Sequence, residues 1–177
     1  FGGRFNLAAM GRAIGEGTYF GSYRYDEFVS ENENGRADSL KVEVIDSDSA
    51  KVRTLNKGLV SGIAIGSAQS YARTIANRPA NVINPPELAA EAKKLSRDLK
   101  NLNCTVFDEQ QMTAKGMGGV LAVGSGSEKK PRFIILKYSP VNIKVAGKLP
   151  MVALVGKAIT FDSGGISIKP SAGMEEM

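Results

Sequence analysis

The chain's 177 residues, 42% hydrophobic and 23% charged, are enough for one domain with a real core or for pieces of two, and they carry no disorder signature. The net charge of +5 is the excess of 23 basic over 18 acidic residues, and the basic ones are scattered in singles and short pairs such as Lys93-Lys94 and Lys129-Lys130, which is a solvated surface rather than a nucleic-acid footprint. The single Cys104 excludes an internal disulfide framework and zinc-finger spacing, and the absence of histidine removes the commonest zinc ligand and general base.

The opening FGGRFNLAAMGRAIGEGTYF has neither the basic start nor the apolar core of a secretory signal, and the chain is expected to begin inside a longer protein. Leu7, Met10 and Ile14, with the small Ala8, Ala9 and Ala13, predict a helix closed by Gly15 and Gly17. Tyr19, Phe20, Tyr23, Tyr25 and Phe28 follow as an aromatic cluster, which reads as packing rather than a base-stacking platform. Residues 30–39 are polar and turn-forming and read as an exposed loop. Leu40 to Ile45 alternate apolar and polar side chains in the manner of a half-buried strand.

From Lys51 to Asn77 apolar and small residues recur at helical spacing, which predicts a long helix ending near Arg78, because Pro79 disfavours helical dihedrals in the residue before it. In NRPANVINPPELAAEAKKL, Asn77, Asn81 and Asn84 suit turns and caps, Pro86 an early helix position, and Leu88, Ala92 and Leu95 one apolar stripe. Cys104 to Phe107 predicts a short strand, and Asp108 to Gln111 begins a helix that Gly116, Gly118 and Gly119 interrupt. The glycine-rich GMGGVLAVGSGS lacks both the dinucleotide and the P-loop spacing, so its glycines read as turns and close packing. Arg132 to Tyr138 predicts a buried strand, and residues 139–149 a polar bend. Helices alternating with apolar strands from Pro79 onward predict an α/β domain with a largely parallel or mixed sheet.

The chemistry gathers in MVALVGKAITFDSGGISIKP, residues 151–170. Met151 to Val155 is an apolar run of strand length; two lysines, one aspartate, two serines and a glycine pair then follow directly, as at a site on the C-terminal end of a strand. Asp162 lies five residues after Lys157, and Lys169 seven after Asp162, so both ammonium groups can converge on one carboxylate if Gly164-Gly165 folds the chain back. Such a group can be a plain ion-pair cluster. It can be a metal site in which one lysine coordinates as the neutral amine while another stays charged to polarise a carbonyl. It can also be a Ser-Lys hydrolase with Ser163 or Ser167 as nucleophile. Composition by itself favours the ion-pair cluster.

The stretch VGKAITFDSGGISIKPSAGM resembles, without a gap, the signature of the leucyl (cytosol) aminopeptidase family, which are dinuclear metal exopeptidases. EGTYFGSYRYDEF is similar to the family's wording near the end of its N-terminal domain, and NRPANVINPPELAAEAKKL to the start of its catalytic domain. Ala158 stands where the family usually has glycine, a small-for-small change.

The resemblance implies that Lys157 donates its neutral amine to one metal, Asp162 bridges two, and Lys169 is the charged electrophile on the scissile carbonyl. It places Met177 in the pocket for the substrate's first side chain, and leaves Glu175 and Glu176 outside the matched ligand positions. It implies residues 1–50 as the end of a smaller N-terminal α/β domain, 51–78 as a connector helix, and 79–177 as the N-terminal part of the catalytic domain. It further implies a cytoplasmic homo-hexamer acting on peptides with two divalent ions per subunit, zinc or manganese with magnesium a further option; no membrane partner is expected, and the scattered basic residues argue against a nucleic-acid one. The family's later acidic ligands are expected beyond Met177, so this stretch alone is expected to be inactive. Since some members of the family bind DNA, a non-catalytic DNA-binding role stands as an alternative beside the Ser-Lys hydrolase.

Overall fold

The computed structural model describes residues 6–30, 41–140 and 150–174, in two compact units, Phe1–Arg78 and Pro79–Met177. Glu175, Glu176 and Met177 lie outside the described residues, as do most of the loop expected over 30–39 and most of the bend expected over 139–149.

The first unit is built on α1 (Leu7–Ser22) and α2 (Ser49–Asn77). Each helix starts on a side-chain cap that satisfies backbone donors with no partner inside the helix. Asn6 Oδ1 accepts from the amides of Ala8 (3.0 Å) and Ala9 (3.2 Å), and Asp48 Oδ1 accepts from Ala50 (2.8 Å). The helices run parallel, since Gly11 faces Leu55, Gly15 faces Leu59 and Ile63, and Gly66 faces Tyr19. Gly11 and Gly15 on α1 and Gly58 and Gly62 on α2 are spaced by four and form the seam. A Cβ on Gly58 would collide with the Ala8 carbonyl oxygen and one on Gly62 with that of Arg12, so the two backbones touch because no side chain stands between them.

Two expectations change here. The helix does not close at Gly15 and Gly17 but continues to Ser22, because Gly15 serves the helix contact and its neighbours keep their intrahelical hydrogen bonds. Of the strand expected over Leu40–Ile45, Leu40 lies outside the described residues, and residues 41–45 have no strand partner among the described residues, with Ile45 exposed.

The aromatic stretch after α1 packs on the last turns of α2. Arg73 stacks its guanidinium over Tyr23 (3.9 Å to the ring centroid) and Phe20 (5.2 Å), while Tyr23 Oη lies 3.3 Å from Thr74 Oγ1 and accepts from Asn77 Nδ2 at 3.1 Å. Arg78 donates twice to Glu27, at 2.9 and 3.0 Å, in the fork geometry guanidinium and carboxylate favour. Burial, reinforced by the Glu27 charge, raises the Tyr25 phenol above its ordinary value.

The second unit starts with α3 (Pro85–Asp98), whose N-cap Asn84 is buried and accepts from the Glu87 amide at 3.3 Å, with Pro85 and Pro86 in the first turn. Then come β1 (Leu102–Phe107), α4 (Glu109–Ala114), α5 (Gly118–Gly124) and β2 (Phe133–Tyr138). Asp108 and Gln111 form a reciprocal capping box at α4 (2.9 and 3.0 Å), and Gly116, at φ +68°, turns the chain out of it. The strands pair antiparallel from Leu102 opposite Tyr138 to Phe107 opposite Phe133, with the two phenylalanine rings stacked at 6.1 Å.

Ala89 and Ala92 of α3 and the fully buried Met112 of α4 form the core of this unit. The chain is α/β, as expected, but the described sheet is antiparallel and two-stranded. The strand expected to be buried at Arg132–Tyr138 exposes Phe133, Ile135, Leu136 and Tyr138. Met151–Val155 is not a strand, and Leu154 and Val155 are 95% and 96% exposed. Both departures have one cause: an apolar strand is buried only between neighbours, and the described residues supply β2 with one neighbour and Met151–Val155 with none.

Candidate metal and peptidase site

The loop after Val155 is organised by its aspartate. Asp162 Oδ1 accepts from the Gly164 amide at 2.9 Å, an Asx turn in which the side chain hydrogen-bonds the backbone two residues on. Gly164 and Gly165 both take positive φ, +88° and +60°, and reverse the chain. The Lys169 amide then donates to the Ser163 carbonyl at 2.9 Å, closing the loop, and Lys169 Nζ comes to 3.4 Å from Asp162 Oδ2. The turn therefore brings one of the two lysines to the carboxylate. Lys157 lies on the exposed run before it and acts on Asp162 only through its charge.

The Asp162 carboxyl is held below its ordinary value, first by the Gly164 N–H bond, then by the hydrogen bond and charge of Lys169, with Lys157 contributing least. Side-chain exposure is 48% for Asp162 and 32% for Lys169, so an incoming group can reach the pair. Ser163 and Ser167 take part through their carbonyls: that of Ser163 accepts from Lys169, and that of Ser167 packs against Gly164. Neither hydroxyl is hydrogen-bonded to Lys169 Nζ among the described residues.

A carboxylate oxygen has two lone-pair directions, so Asp162 can take a cation on the side away from Gly164 and Lys169, and the exposed Lys157 amine offers a nitrogen once a cation displaces its proton. That pair suits a divalent ion of borderline or hard character. It fits as part of a site: no group of three or more His, Cys, Asp or Glu side chains gathers among the described residues. Reasoning from residue spacing missed the Gly164 amide as an Asp162 partner; the signal was present in Asp-Ser-Gly, the sequence of an Asx turn.

Residues 70–177, which hold this loop, match the sequence profile of the cytosol aminopeptidase family, catalytic domain. The chain belongs to the cytosol aminopeptidase family. A probable cytosol aminopeptidase of Aquifex aeolicus (strain VF5) is 42% identical over 171 residues, which are 94% of this chain and 31% of that protein. Another, of Chlorobium limicola (strain DSM 245 / NBRC 103803 / 6330), is 39% identical over 97% of this chain and 34% of its own length. Among solved structures, the bottromycin maturation enzyme BotP in complex with Mn aligns with a TM-score of 0.74 at 34% identity, covering 97% of this chain and 33% of that one. The chain thus spans about a third of the length of the curated relatives it matches. The family profile begins inside α2, upstream of the boundary between the two compact units. No described helix of this family member is long and apolar enough to cross a membrane.

Proposed function

We propose that the protein is a metal-dependent aminopeptidase that releases N-terminal residues, with a leucine-type preference, from peptides. The observation that carries the reading is the Asp162–Lys169 pair on a glycine-turned loop, inside the residues that match the family's catalytic domain. In this reading Lys157 and Asp162 hold metal, Lys169 stays protonated and polarises the scissile carbonyl, and Met177 lines the pocket for the substrate's first side chain. Divalent ions bound there supply Lewis acidity and lower the pKa of water.

The contacts of the loop support these roles. Asp162 is ionised across the neutral range, since Gly164 and Lys169 both favour its charged form, and a ligand that needs no deprotonation at working pH binds cations readily. Lys169 is the lysine that the turn brings to the carboxylate, 3.4 Å from Asp162 Oδ2. Lys157, on an exposed run, is open to an incoming cation. Zinc or manganese suits the donors, and the manganese complex of the BotP relative favours testing manganese first. A cytosolic location follows the relatives' names, and a homo-hexamer rests on the family resemblance.

Among the described residues, one carboxylate and one amine are the donors this reading assigns, too few for a pair of ions, so these 177 residues alone are proposed to be inactive. The test is hydrolysis of a leucine chromogenic amide, with and without chelator, by this chain and by the protein at the length of its relatives. Chelator-sensitive turnover by the longer form alone is the expected result. Turnover that survives chelation overturns the reading and moves the nucleophile to Ser163 or Ser167.

A further inference from the structure

Asp162 and Lys169 are seven residues apart, and what sets their separation is the backbone between them. At Gly164 three separate constraints meet. Its amide holds Asp162 Oδ1 at 2.9 Å. Its φ of +88° is a conformation that residues with a side chain rarely adopt. A Cβ built there would collide with the Ser167 carbonyl oxygen and lie 3.1 Å from both the Lys169 amide nitrogen and Lys169 Cγ, the stem of the side chain whose ammonium meets Asp162. Gly165 shares the positive φ but none of the crowding: a Cβ there has no atom within 4 Å.

We propose that Gly164 is the positioning residue of the site: its amide and its missing side chain together preset where the Asp162 carboxylate and the Lys169 ammonium stand before any metal or substrate arrives. The inference rests on the assignment of Asp162 as a metal-holding residue and adds to it the element that orients this ligand. An amide bonded to a ligand carboxylate fixes which oxygen faces the ion, and the Ser163 carbonyl on the Lys169 amide fixes the root of the lysine. Substituting Gly164 disturbs both at once, since the atoms its Cβ would meet belong to Ser167 and Lys169. Substituting Gly165 disturbs neither, provided the new residue tolerates positive φ, as asparagine does.

The test is a manganese(II) titration of the metal-free protein, at the length of its relatives, followed by the paramagnetic resonance of the free ion. Gly164→Ala and Gly164→Asn are expected to weaken manganese binding by ~10-fold to 100-fold, the usual loss when an outer partner of a ligand is removed. Their thermal midpoint without metal should fall by only a few degrees, because the strain of a side chain at Gly164 is confined to one partly exposed loop. Gly165→Asn should bind as the wild type does. Wild-type affinity in Gly164→Ala, or an equal loss in Gly165→Asn, overturns the proposal.

Asp162→Asn titrated alongside separates the two levels. A loss there with none in Gly164→Ala removes the positioning role and leaves the site assignment standing. Wild-type manganese binding by Asp162→Asn overturns both. Amide hydrogen exchange in the unaltered protein decides the matter if the Gly164 variants do not fold. The Gly164 and Lys169 amides should exchange more slowly than that of Gly165, and equal rates contradict the proposal.

Discussion

The seam between α1 and α2 and the loop from Met151 to Lys169 both depend on glycine, in opposite ways. In the seam, glycine gives up its side chain so that two helices, each able to form through its own caps and hydrogen bonds, can touch along their backbones. In the loop, glycine gives the backbone a conformation and a close approach that let one carboxylate gather an amide and an ammonium within eight residues, Asp162 to Lys169. The seam is a tertiary contact between segments far apart in sequence. The loop is local, and it forms its turn even though the apolar run before it is left exposed. Local hydrogen bonding can thus shape a site without burial of the run that precedes it.

The largest effect is expected at the loop. Lys169→Ala, in the protein at the length of its relatives, is expected to cut turnover by ~10²-fold to 10³-fold with the metal retained, the usual loss of an electrophilic group; full turnover in this variant removes that role. On the helix side, Gly58→Val forces a branched side chain into the Ala8 carbonyl and should cost about 3 kcal/mol in a urea melt, the upper part of the range for overpacking. Asp48→Ala, which removes the α2 cap but leaves the seam, should cost about 1 kcal/mol in the same melt. Gly17→Ala sharpens the contrast in the other direction. A Cβ there meets nothing within 4 Å, and in a helix interior the change should stabilise by about 0.5–1 kcal/mol.

The pH response should differ as well. The Asp162 carboxyl is depressed in the folded loop, so its contacts with Gly164 and Lys169 contribute fully above the ordinary carboxylate range and are lost only as pH falls through the lowered value. The Gly164 amide resonance should therefore titrate with a midpoint below that of an ordinary aspartate. A midpoint at the ordinary value would mean that the Asx turn does not persist in solution.

Much of this was legible in the sequence because its causes are local. Asp108 with Gln111 specifies a capping box, Asn84 before two prolines starts α3, and Pro79 ends the helix before it. The meeting of Asp162 and Lys169 followed from their spacing and from the glycine pair between them. What was not legible depends on partners. Gly15 looked like a helix end because its role is to receive α2, and nothing near it in the sequence announces a helix beginning at Ser49. Lys41–Ile45 and Met151–Val155 have strand-like side chains, but a strand exists only with a neighbour, and alternation or apolarity alone does not supply one. The roles of Lys157 and Met177 stay tied to the family resemblance: Lys157 touches Asp162 only through its field, and Met177 lies outside the described residues.

The most direct test of Asp162 as a metal-holding residue is metal content by elemental analysis of the protein at the length of its relatives, unaltered and as Asp162→Ala. About two divalent ions per chain are expected in the unaltered protein, as in a paired-metal hydrolase, and their loss in the variant. A full complement of metal in Asp162→Ala would contradict that role, because the carboxylate at the centre of the loop would then hold nothing.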